Sequence, residues 1–176
     1  MRTVFVFLFT GILTGIVVAG PLIDAVHSGN VENVKKLISQ GEDVSEKNEY
    51  GSTPLHEAAE MGKIKIVELL ISSGAIINVA DDRGVTPLYW AAYRGYKDVT
   101  ELLILHKADV NIKDKYGFTP LHIVSLAGNK EIVELLITSG AEVNIKNKDG
   151  LTPLGLAVQK KHAEIADILK KHGATQ

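Results

Sequence analysis

The stretch Gly51-Ser-Thr-Pro-Leu-His56 decides the fold, because it returns as Gly84-Val-Thr-Pro-Leu-Tyr89, Gly117-Phe-Thr-Pro-Leu-His122 and Gly150-Leu-Thr-Pro-Leu-Gly155, each 33 residues after the last. Four matches at one constant period are the mark of a repeat architecture. One further step back, Pro21-Leu22 opens a fifth, degenerate unit that runs through Ala25-Val26-His27-Ser28-Gly29.

Each unit reads as two short helices. A threonine followed by proline is a helix cap followed by a first helical position: the hydroxyl accepts an orphan amide hydrogen bond, and proline has no amide to leave orphaned. First helices are therefore predicted over 21–28, 54–61, 87–94, 120–127 and 153–160. Gly62, Gly95 and Gly128 end three of them, since glycine enters the left-handed conformation at no steric cost. Beyond each glycine the apolar residues return on one broad helical face, as in Ile66/Val67/Leu70/Ile71, Val99/Leu103/Ile104 and Ile132/Val133/Leu136/Ile137. These predict second helices over 31–39, 64–73, 97–106, 130–138 and 163–171. Segments such as Val143 to Gly150 then form an extended turn into the next unit.

A helix pair this short cannot cover its own apolar face, so neighbouring pairs must stack into one continuous core. End units should then carry polar residues on the face an inner unit would bury. Asn33 and Lys36 stand where inner units have Ile66, Val99 or Ile132 and Leu69, Leu102 or Leu135, and Lys170 stands where Ile71, Ile104 and Ile137 do. This is capping chemistry, and it reads as an array of five units, about 20–47, 48–80, 81–113, 114–146 and 147–176.

The Thr-Pro-Leu-His core, the 33-residue period and the Gly-Ala-x-Val-Asn run after the second helix resemble the ankyrin repeat, over residues 20–176. The resemblance implies an all-α solenoid of helix–turn–helix units with β-hairpin loops at right angles to the helices, and a role in protein–protein recognition through the hairpin tips and first helices. Three departures stand out. Lys107 replaces the glycine found at Gly41, Gly74, Gly140 and Gly173, which makes that turn less relaxed; Tyr89 and Trp90 follow Thr-Pro-Leu in the third unit; and Gly155 replaces the histidine in the last.

In such arrays the exposed positions flank the hairpin glycine and end the first helix. Matched here, they are Tyr50, Ser52, Glu60 and Met61; Arg83, Val85, Tyr93 and Arg94; Lys115, Tyr116, Phe118 and Leu126; and Lys148, Leu151 and Lys160. Loop tips ordinarily carry small polar residues, and aromatic and arginine side chains dominate binding hot spots. The candidate partner-binding set is therefore Tyr50, Met61, Arg83, Tyr93, Arg94, Tyr116, Phe118, Leu126 and Leu151, centred on Tyr93, Arg94, Tyr116 and Phe118. Packing between adjacent hairpins is the alternative for Tyr116 and Phe118, and Trp90 is assigned to the core.

Other chemistry finds little support. The chain's 176 residues hold 19 Lys+Arg against 21 Asp+Glu and no cysteine. The net charge of −2 leaves no basic excess to release counterions from a nucleic-acid backbone. Without cysteine there is no disulfide, thiolate metal site or cysteine nucleophile. No phosphate-binding loop, His-Glu-x-x-His, serine elbow or dinucleotide fingerprint occurs, so the sequence predicts a non-enzyme without cofactor or metal. His56 and His122 sit in equivalent places two units apart and are read as bonding backbone near a helix start. A single protein partner and a monomeric chain are expected.

The first segment, MRTVFVFLFTGILTGIVVAG, carries Arg2 and no further charge before Asp24. A short positive start, an apolar stretch and the small-residue site Val17-Val18-Ala19 predict an export signal covering 1–19, removed to release Gly20. The alternative is a membrane anchor, but the apolar run from Thr3 to Ala19 reaches only ~25 Å as a helix, short of a hydrocarbon core of about 30 Å. Both readings place the repeats outside the cytoplasm, as a periplasmic, secreted or surface protein, with membrane contact only if the segment is retained. N-terminal sequencing of the native protein should begin at Gly20; a chain that begins at Met1 and needs detergent for extraction contradicts cleavage.

Overall fold

The computed structural model describes residues 20–175, so the export segment 1–19 lies outside the described residues. The first helices are α1 (Pro21–Ser28), α3 (Pro54–Glu60), α5 (Pro87–Arg94), α7 (Pro120–Ala127) and α9 (Pro153–Gln159). They alternate with the second helices α2 (Val31–Ser39), α4 (Ile64–Ser72), α6 (Lys97–Leu105), α8 (Lys130–Thr138) and α10 (Ala163–Lys171). All ten lie within one residue of their predicted limits. The odd-numbered helices pack against one another more extensively than the even-numbered ones do. That makes the odd row the inner side of a curve.

The leucine of each Thr-Pro-Leu, namely Leu55, Leu88, Leu121 and Leu154, is buried, and so are Leu70, Leu103, Leu136 and Leu169 of the second helices. Together they form one core running the length of the array. Thr100 stands where Val67 and Val133 do; it is buried, and its hydroxyl donates to the Tyr96 carbonyl at 2.8 Å, so a valine-shaped residue keeps its polar group satisfied. Asn33, Lys36 and Lys170 are exposed, as their capping role requires.

Neighbouring units are tied by polar brackets as well as by the core. The Thr53 amide donates to His56 Nδ1 at 3.1 Å, which leaves Nε2 protonated to donate to the Val85 carbonyl of the next unit at 3.0 Å. His122 repeats this between Thr119 and Leu151, at 3.1 and 3.2 Å. A second bracket comes from asparagine in the run after the second helix. Asn78, Asn111 and Asn144 each donate Nδ2 to the carbonyl that closes the following unit's second helix, at Lys107, Gly140 and Gly173, and accept from the amide two residues further on. The first unit has Ser45 in this position and lacks the bracket.

The loops differ from the β-hairpins that the resemblance implies. They are turns with no strand among the described residues. Each is closed by one backbone bond, Asn48 to Ser52, Asp81 to Val85, Asp114 to Phe118 and Asn147 to Leu151. The first of these residues folds its own side-chain oxygen back onto two amides of the turn. With side chain and neighbouring turn consuming the amides, no ladder develops.

Two glycine positions explain two departures from the repeat. Gly62, Gly95 and Gly128 have positive φ, and a Cβ there would meet Tyr96, Asn129 and His162 of the next unit at 2.7, 3.1 and 2.8 Å. The equivalent residue of the last unit in the chain is Lys161, also left-handed at φ 61° but with no following unit laid over it. Lys107 has φ 70° where Gly74 and Gly140 have open space around the Cβ position, so it carries conformational strain without a clash.

Leu103→Ala and Leu136→Ala should each cost about 2–5 kcal/mol in urea unfolding, through lost transfer energy and a cavity, while Lys170→Ala costs little. Equal effects at the three sites would contradict the assigned faces. The two bracket imidazoles set a pH dependence. Burial holds His56 and His122 below the ordinary histidine range, so the unfolded chain binds more protons as pH drops past the unfolded value of about 6.5. Their stabilisation is complete above that value and is lost as pH falls toward the folded values. The melting temperature should decline from pH 7 to pH 5.5, and the double variant His56→Gln/His122→Gln should flatten that decline; an unchanged slope would show that other groups cause it.

Candidate functional site

The third and fourth units build the most elaborate surface feature, starting from their turns. Asp81 has a wholly buried carboxylate. Its Oδ1 accepts the amides of Arg83 and Val85 at 2.8 and 2.9 Å, and its Oδ2 accepts Arg83 Nε and Nη2 at 3.2 and 2.8 Å. A two-pronged bond of this kind fixes the plane of the guanidinium as well as its place. Arg83 is thereby held with its guanidinium carbon 5.0 Å from the centre of the Trp90 ring. Arg94 approaches the same ring and the Tyr93 ring at 5.7 Å each, and it is anchored by Glu60 of the preceding unit. Tyr89 and Tyr93 meet Trp90 edge to face, with centroids 6.4 and 6.0 Å away.

The fourth unit supplies the other wall. Asp114 holds its turn as Asp81 does, with Oδ1 accepting the amides of Tyr116 and Phe118 at 2.8 Å each. Phe118 stands edge-on to His122 at 5.8 Å. Between these walls lies a cavity of about 380 Å³ lined by Arg83, Val85, Tyr89, Trp90, Tyr93, Asp114, Tyr116, Phe118, Ile123 and Leu126. Burial, and next the charge of Asp114, push the Tyr89 phenol far above its ordinary pKa. It therefore remains a donor at physiological pH. A concave, mostly aromatic lining with a few fixed polar groups is the composition of a recognition site.

Of the candidate residues, Arg83, Tyr93, Tyr116, Phe118 and Leu126 line this one cavity, and Arg94 reaches it through Trp90. The structure does not bring the others there. Tyr50 projects from the second unit's turn, 61% exposed. Met61 borders a shallow depression with Glu57, Glu60, Arg94 and Tyr96. Leu151 is half-buried and receives His122 Nε2 on its carbonyl, which makes it part of the bracket between units. Two residues expected at the exposed surface are buried instead: Ser52, at 6%, and Val85, at 4%. Their turns are folded tightly onto the asparagine or aspartate that opens them.

Trp90 requires the opposite correction. It is half-buried and forms the floor of the groove, because α5 ends at Arg94 and both arginines stack over it from outside. Tyr89, Asp114 and Ile123 also line the groove and were not among the candidates. Their signal lay in the period: Asn48, Asp81, Asp114 and Asn147 stand 33 apart, and Ile123 shares the register of Trp90.

A family model described as ankyrin repeats in three copies matches residues 22–114 and 101–176. No curated protein matches the chain. Ankyrin repeats are in general protein–protein interaction modules and are typically non-catalytic. With helix pairs recurring every 33 residues, the Thr-Pro-Leu caps and the family match across nearly all described residues, this chain belongs to the ankyrin repeat family.

Proposed function

We propose that the protein is a non-catalytic, monomeric binding module that acts outside the cytoplasm and holds a protein partner in the groove between its third and fourth units. The observation that carries the reading is the cavity of about 380 Å³, walled by Trp90, Tyr93, Tyr116 and Phe118 and bordered by two arginines already fixed in place. Side chains ordered before binding lose little further entropy on association, which is why preorganised aromatic and arginine anchors contribute most of an interface's energy. Their position beside the turns, on the inner side of the curve, agrees with where the family's interactions lie.

The proposed location outside the cytoplasm rests on the first 19 residues. Among the described residues no helix is long and apolar enough to cross a membrane, so a tether, if one is retained, belongs to that segment. In that second form the module is a membrane-held accessory of an envelope enzyme, favoured by the apolar run alone.

Capture from extracts by the purified protein, compared with Tyr93→Ala/Arg94→Ala and with Phe118→Ala, tests the groove. Both variants should lose the captured partner while their melting temperatures stay near that of the parent. Unchanged capture, or a loss that follows unfolding, contradicts the site.

A further inference from the structure

The repeat supplies its own control for what the groove binds. At Asp81 the turn carboxylate uses one oxygen for backbone amides, and its second oxygen is taken by the guanidinium of Arg83, two residues on. At Asp114, one unit later, the first oxygen does the same work, but the residue two positions on is Tyr116. Its Oδ2 meets only the Tyr89 hydroxyl at 3.4 Å. That is well beyond the usual 2.7–2.8 Å of such a hydrogen bond. Asp114 joins no ion pair among the described residues, and it lines the aromatic cavity. Around the groove Arg83 is matched by Asp81 and Arg94 by Glu60. One carboxylate is left without a cation.

We infer that the groove takes an arginine side chain of the partner, its guanidinium on Asp114 Oδ2 and its plane against the aromatic walls, repeating in trans the arrangement that Arg83 makes with Asp81 and Trp90. A guanidinium suits both surfaces, since its fork bonds a carboxylate edge and its face lies on aromatic rings. Tyr116 and Phe118 supply rings beside the carboxylate where the third unit supplies Trp90 beside Asp81. The cavity is large enough for such a side chain with part of its backbone.

This inference rests on the groove being the partner-binding surface, and its test separates the two. Trp90 is the chain's single tryptophan, so its emission reports the groove directly. The probe is a capped, otherwise uncharged short peptide with one arginine, set against the same peptide with citrulline, which keeps the shape and loses the charge. The variant is Asp114→Asn. Asn48 and Asn147 already hold the equivalent turns through the same side-chain oxygen, so the substitution preserves the fold. The arginine peptide should shift Trp90 emission saturably, and either citrulline or Asp114→Asn should weaken binding about tenfold, as befits a lost charge-assisted hydrogen bond. Equal responses to arginine and citrulline, an Asp114→Asn variant that binds as the parent does, or no saturable response overturns it. Partner capture that depends on Phe118 but is indifferent to Asp114→Asn overturns this inference and leaves the groove as the binding surface. Capture indifferent to both variants removes the groove itself.

Discussion

Stacking of one helix pair on the next is the interaction everything else depends on. Eight or nine residues per helix cannot hide a face that includes Leu70, Val67 and Leu55 from water within a single unit. Burial below 2% at each of these is achieved by the neighbouring units. Such an array gains stability from nearest-neighbour interfaces, so damage at its centre uncouples the two sides while damage at an end removes one unit. The polar brackets follow the same logic. Each imidazole and each bracket asparagine bonds backbone in the next unit, which fixes the register of stacking where apolar contact alone would allow sliding.

The helices were legible because their limits are written in local chemistry: threonine and proline at the start, glycine or its left-handed substitute at the end. The groove was half legible. Tyr116 and Phe118 announced themselves as aromatics beside a turn glycine, and Arg83 and Tyr93 by position. Trp90 was misread because a large apolar residue just inside a helix start usually points to the core, and only the stacked arginines reveal that it faces outward. Asp114 was silent for a different reason. A turn-forming aspartate is expected at its position, and what makes it unusual is the missing cation two residues on, a contrast that becomes meaningful once the Asp81–Arg83 pair is seen.

Repetition also gives a way to separate fold from function within one chain. Where the four inner and end turns agree, the residue serves the architecture. Where one unit departs, either the departure is at an edge, as with Lys161 and Lys170, or it gathers in one place. Tyr89, Trp90, Arg83, Tyr116 and Phe118 all gather between the third and fourth units. Concentrated departures of this size and chemistry are what a binding surface leaves in an otherwise regular array.

The most direct measurement grafts the fourth unit's His122-Ile123 pair onto the third as Tyr89→His/Trp90→Ile and compares melting temperature with partner capture. Residues that serve recognition should be replaceable by their counterparts from a neighbouring unit without loss of stability. The predicted result is a melting temperature equal to or above that of the parent, together with lost capture. A marked fall in melting temperature with capture retained by the folded fraction would show that Tyr89 and Trp90 serve the core, and would contradict the account.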